Sequence, residues 1–241
     1  NNNLFIFGPS GIGENTMLTN KRVLLAATAV IGALALSELS GVAQQQDEEP
    51  PPMGFFITSG GIGDGANLGG LDGADTHCQA LAAAAGAGNR TWRAYLSTQE
   101  PRAVNARDRI GEGSWANADG LVMATSVENL HYDNSNFNWT HTLDENGNQF
   151  ASRIDGDPDF SEHDVLTGSQ IDGTTFPAGE DRTCGNWTSN NEGSAMLGHA
   201  DRYSFTTPGS PWNNAHPSRG CSQDNLVATG GAGLFYCFAS D

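Results

Sequence analysis

An α+β fold is what this sequence predicts, and three observations carry the prediction. The Ala-rich stretch from Asp72 to Gly86 has helical spacing and holds Cys78 on its apolar face. The run Leu234-Phe235-Tyr236-Cys237-Phe238 reads as a strand buried on both faces. Between them, from about Val127 to Arg182, lies a polar region rich in Asn, Asp, Gly, Ser and Thr. An early helix and a late strand that each carry a cysteine suggest a bridge fastening the two ends of one domain. Cys184 and Cys221 would then close a smaller loop inside the larger one, although four cysteines permit three pairings.

The elements follow in order. Residues 1–16 precede Met17, which can serve as initiator, and read as an upstream extension. Lys21 and Arg22 form a basic segment, Val23 to Leu36 an apolar one, and Gly41 and Ala43 supply small residues, so 17–43 reads as a signal peptide. The apolar run of about 14 residues is shorter than the roughly 20 that span a bilayer, so no membrane insertion is expected after cleavage. Export places the chain in a secreted or periplasmic, oxidising setting, where disulfide bonds are the expected state of the cysteines. Residues 44–53 (QQQDEEPPPM) have nothing to bury and read as an acidic, Pro-rich tether, leaving 54–241 as the domain.

Within the domain, Phe55 to Thr58 reads as a strand, and Ser59 to Gly70 as a glycine-rich loop. The helix from Asp72 to Gly86 has Asp72 or Asp75 as its N-cap and Gly86 as its stop, with Ala74, Cys78, Leu81, Ala82 and Ala85 on one narrow face. Thr91 to Ser97 alternates like a strand, Ala103 to Ile110 predicts a short helix, and Leu121 to Ala124 is a short apolar run. Strands resume at Cys184-Gly185-Asn186-Trp187-Thr188 and at Leu234 to Phe238.

Lys21 is the only lysine. Residues 44–241 keep nine arginines against 26 acidic residues, the 28 of the whole chain less Glu14 and Glu38, a net charge of −17. Such acidity repels phosphate backbones and anionic membrane surfaces, which excludes nucleic acid as the expected partner.

Several segments together resemble the C-type-lectin-like fold in its bacterial, endostatin-like branch. They are Phe56-Ile57-Thr58-Ser59, then Gly69 to Gln79 (GGLDGADTHCQ), Trp92-Arg93-Ala94-Tyr95-Leu96-Ser97, Cys184 to Thr188, and Gly233 to Cys237. The resemblance implies a mixed β-sheet with flanking helices, meeting N- and C-terminal strands and a projecting long loop. It also implies two nested disulfides, Cys78 with Cys237 and Cys184 with Cys221. In sugar-binding relatives that loop and a Trp-Asn-Asp motif hold Ca²⁺. Here the nearest match is Trp212-Asn213-Asn214, with Asn where the acid stands, and no Glu-Pro-Asn or Gln-Pro-Asp triplet occurs.

Two metal sets are readable from the residues. Asp155, Asp157 and Asp159, with Glu162 and Asp164 just beyond, place carboxylates closely enough for an irregular Ca²⁺ loop. An EF-hand is excluded, because Leu166 stands where its bidentate Glu belongs. His199, Asp201 and His216, brought together by a closed Cys184–Cys221 loop, form a credible Zn²⁺ set. The bland reading of both is solvated or hydrogen-bonded loop residues. No Gly-x-Ser-x-Gly elbow or phosphate loop is present. Trp139 and Trp212, with Asn213 and Asn214, are the candidates for stacking on a sugar or anchoring a protein, whereas Trp187 reads as core. The leading expectation is a non-catalytic recognition module for a glycan or a surface protein, contacted through the polar loops. Its rivals are a zinc-dependent hydrolase using His199, Asp201 and His216, and a purely structural disulfide-bonded surface protein.

Overall fold

Strand β8 (Gly231–Ala239) is the hub of the molecule, because three other strands pair with it. β1 (Phe55–Ile57) runs antiparallel to it in the register Phe55↔Phe238 and Ile57↔Tyr236. β2 (Trp92–Ala94) is also antiparallel, with Trp92↔Ala239 and Ala94↔Cys237. Since both partners engage Cys237 and Phe238, they lie on opposite edges of β8. β5 (Asp164–Leu166) adds a parallel pairing, β6 (Met196–His199) pairs antiparallel to β5, and β7 (His216–Pro217) antiparallel to β6. The order is therefore β1-β8-β5-β6-β7, a mixed sheet, with β3 (Trp115–Ala116) and β4 (Val122–Ala124) forming a separate pair. This computed structural model describes residues 49–132, 136–152, 161–201 and 211–241, which belong to one compact unit.

The two nested bridges are present: Cys78 joins Cys237 and Cys184 joins Cys221. Helix α1 (Gly70–Ala84) packs on β2, burying Ala74, Cys78 and Ala82, so small residues let it approach the sheet and place Cys78 against β8. Its cap differs from expectation. Gly69, in a left-handed conformation at φ 75°, precedes the helix with no side-chain cap, and Asp72 lies inside the first turn. Asp75 faces the sheet instead, accepting from Arg93 Nη1 at 2.7 Å, from Arg109 Nη2 at 2.8 and 2.9 Å, and from the Ala94 amide at 2.9 Å. A buried carboxylate needs such partners, which a cap position could not supply.

Other boundaries also move. Met53, the last residue of the tether read from the sequence, bridges to Ala116 and packs against the core. The helix expected over Ala103 to Ile110 is a single 3₁₀ turn, Ala106–Asp108. The polar region holds structure of its own, α2 (Val127–Tyr132) and β5. Cys184-Gly185-Asn186-Trp187, expected as strand, is a left-handed helical turn, α3, with φ of 50°, 66°, 59° and 63°. Its partners impose that shape: the bridge to Cys221, the Trp187 indole donating to Ser97 O at 2.7 Å, and Asn186 Oδ1 accepting from Gln99 N at 2.6 Å. A last short helix, α4 (Gln223–Val227), is capped by Ser222, whose hydroxyl accepts from Asn225 N.

The core is one continuous cluster around β8. Phe137 lies 4.8 Å from Phe55 and 4.6 Å from Trp212, and Trp212 lies 4.8 Å from Tyr95, ring centre to ring centre. Each such ring stabilises the fold by about 1.5–3 kcal/mol relative to exposure. Gly198 in β6 is required by close approach, since a Cβ there would overlap the carbonyl oxygen of Trp212. That approach brings the segment bearing β7 against β6, which sets up the site described next.

Candidate metal centre

Sheet register assembles the site. Asp164 opens β5 and stands directly opposite His199 on β6. His216 on β7 stands opposite Leu197, two residues before His199. Because strand side chains alternate, Asp164, His199 and His216 fall on one face. His163 immediately precedes β5, with its carbonyl held by the Ala200 amide at 2.9 Å.

All three imidazoles present Nε2 to one atom, Asp164 Oδ1: His163 at 3.2 Å, His199 at 3.2 Å and His216 at 3.5 Å. His163, Asp164 and His199 offer donor atoms within 4.8 Å of one another. The rings of His163 and His199 stack at 4.5 Å, and His199 meets His216 edge to face at 4.9 Å. The Asp164 side chain is 0 % exposed, while His216 is 38 % exposed and marks the side open to solvent.

The hydrogen bonding here is incomplete in an informative way. Among the described residues, neither oxygen of Asp164 nor Nε2 of His199 has a hydrogen-bond partner, although all are buried. Burying a bare carboxylate costs several kcal/mol unless a counter-charge meets it. Meanwhile the Nδ1 atoms of two imidazoles face pure acceptors. His163 Nδ1 lies 2.9 Å from Asp201 Oδ2, and His216 Nδ1 lies 3.2 Å from Pro217 O. A carboxylate and a carbonyl can only accept, so each Nδ1 carries a proton and each ring places its Nε2 on the side of Asp164.

Asp201 also accepts from Ser152 Oγ at 2.8 Å. Burial pushes the Asp201 carboxyl up, but the hydrogen bond and charge of His163, the Ser152 hydroxyl and nearby His199 outweigh it and hold the group below its ordinary value. Gly230 keeps the far side clear, because a Cβ there would sit 3.1 Å from His163 Nε2.

Of the zinc set read from the sequence, His199 and His216 therefore converge, while Asp201 stands behind His163. His163 was missed, and Asp164 was grouped with the acidic run upstream. The signal that could have found them is the His-Asp pair heading the apolar residues Val165 and Leu166. Asp155, Asp157 and Asp159 lie outside the described residues.

The aromatic candidates sit differently from an exposed platform. Trp212 is buried in the aromatic cluster, and Trp139 packs partly buried with its indole donating to Phe150 O. Asn213 is buried, donating to Tyr95 Oη and to the carbonyls of Gln170 and Ile171. Asn214 donates to Ser169 O. Trp187 is core, as expected, and Asp144 to Asn148 forms a turn with Gly147 at φ 82°. No family model and no curated protein matches the chain.

Proposed function

We propose that this chain is a metalloprotein whose centre, His163, Asp164 and His199 with His216 at its open side, holds one divalent ion of the zinc class. A single observation carries the reading: three imidazole Nε2 atoms converge on a buried carboxylate oxygen that has no hydrogen-bond partner among the described residues. Unprotonated nitrogens at that range repel a carboxylate, and a cation among them turns repulsion into attraction. The spacing supports this, since His163, Asp164 and His199 offer donor atoms within 4.8 Å of one another, and their Nε2–Oδ1 separations of 3.2 Å match the edge of about 3.3 Å that metal–ligand bonds of ~2.0–2.1 Å give a tetrahedron. Imidazole nitrogens with a carboxylate suit zinc and similar borderline metals, whereas Ca²⁺ takes six to eight oxygens. Such an ion supplies Lewis acidity, and three protein ligands leave the position beside the exposed His216 for water or substrate, which favours the hydrolytic alternative over a closed structural site.

A second reading, recognition of a glycan or a surface protein, draws on the two bridges, which join the cysteine pairs that the C-type-lectin-like resemblance implies. Those bridges, with the signal-like segment 17–43, also support a secreted or periplasmic setting.

The test is elemental analysis after dialysis against metal-free buffer. The wild-type protein is expected to keep about one zinc per chain, and Asp164→Asn and His199→Ala less than about a tenth of that. A wild-type chain that keeps no zinc and takes none up on titration sinks the reading. Glycan binding by that metal-free chain would favour recognition.

A further inference from the structure

We infer that Asp201, steadied by Ser152, is a positioning residue that presets His163 as a metal ligand and so sets the affinity of the centre. The inference rests on the metal reading above and deepens it.

Asp201 lies on the Nδ1 side of the His163 ring and Asp164 on the Nε2 side. Asp201 therefore backs the ligand instead of joining the coordinating set. Its carboxylate accepts the Nδ1 proton at 2.9 Å, which turns Nε2, 3.2 Å from Asp164 Oδ1, to the side of the centre. Without that acceptor, a neutral imidazole divides between two tautomers, one of which puts a proton where the metal belongs. The ring would also be free to turn about its χ2 bond.

The geometry is held from both sides. Ser152 Oγ donates to the same Oδ2 at 2.8 Å, so one oxygen is pinned between two donors distant in sequence. The backbone fixes the spacing as well, since Ala200 N donates to His163 O and Asp164 N to Gly230 O. Asp201 is thus delivered to His163 by the β5–β6 ladder, with a short side chain that has little freedom to lose. A carboxylate in this position also raises the basicity of the ligand nitrogen, and removing such partners typically weakens metal binding about 10–100-fold.

The test uses the full chain in four forms: wild type, Asp201→Ala, Asp201→Asn and Ser152→Ala. Long-range ¹H–¹⁵N spectra of metal-free protein above the titration range of histidine report the His163 tautomer. Competition with a chromophoric chelator reports zinc affinity. The wild type is expected to show the Nδ1–H form. Asp201→Ala should show a mixed tautomer and zinc binding weakened about 10–100-fold. Asn retains a carbonyl acceptor, so Asp201→Asn should keep the tautomer and lose less affinity. Ser152→Ala should lose less than Asp201→Ala. Asp201→Asn, nearly the same size, guards against misfolding of the Ala variant, with near-ultraviolet circular dichroism as the check.

An Nε2–H tautomer in the wild type overturns the inference, as does zinc affinity in Asp201→Ala within about twofold of wild type. Failure of the wild type to bind zinc overturns the metal reading itself. The tautomer spectrum, read without metal, separates that outcome from failure of Asp201 as the tautomer lock.

Discussion

His131 sits between two partners that dictate its protonation. Its Nδ1 donates to Val127 O at 2.7 Å, and its Nε2 accepts the Tyr95 hydroxyl proton at 2.7 Å. Burial, with the nearby charge of Arg107, holds His131 below its ordinary value against the opposing pull of Val127 O and Asp172. Burial likewise pushes Tyr95 up, so its proton stays available to give. The unfolded chain gains a proton on this residue near pH 6.5, and the folded chain only at lower pH. Below about pH 6.5 the unfolded state therefore binds more protons, and the stability His131 contributes is lost as pH falls through its folded value. Urea unfolding in the presence of chelator should show lower stability at pH 5 than at pH 7.5, with a smaller drop in His131→Gln. An equal drop in the variant would place the sensitivity elsewhere. Sequence alone could not show this residue's role, because Tyr95 lies 36 positions away and meets it only in the fold.

Elements divide by whether their shape is local. Helix α1 was legible because its period, its Ala content and the Gly86 stop all act within a few residues. β6 and β7, of four and two residues, carry no such signal and exist through cross-strand pairing. Turn α3 misleads, since Cys-Gly-Asn-Trp-Thr alternates like a strand while three non-glycine residues in it take positive φ. That conformation costs roughly 1–2 kcal/mol per residue, which the Cys221 bridge and the contacts of Trp187 and Asn186 must offset. The bridges also differ in reach, spanning 159 and 37 positions. Loop-closure entropy assigns them about 5 and 4 kcal/mol. Chemical denaturation should find the paired Cys78→Ala/Cys237→Ala variant less stable than Cys184→Ala/Cys221→Ala. The reverse order would mean that relief or collapse of α3 outweighs chain entropy.

At the scale of the whole molecule, the site was half legible. His199 and His216 stood out as imidazoles in a loop region, but their true companions depend on the register of β5 against β6. A chain of net charge −17 draws cations toward such a centre. Bound metal should then act as a further fastening between β5 and β6. At about 100 times its Kd, zinc contributes about 2.7 kcal/mol to stability, so chelation should lower Tm by about 5–10 °C for a domain of this size. Calorimetry with and without chelator checks this, and an unchanged Tm would place the ion outside the folded core's stability. One further consequence lies in the placing of β8, which follows in the chain every strand it pairs with. As the polypeptide leaves the ribosome N-terminus first, β1 and β2 emerge with no strand to zip onto, β5 finds only β6, and Cys78 waits for Cys237. The sheet therefore lacks its central strand until residues 231–239 have been synthesised, which makes this long-range pairing the last step of assembly.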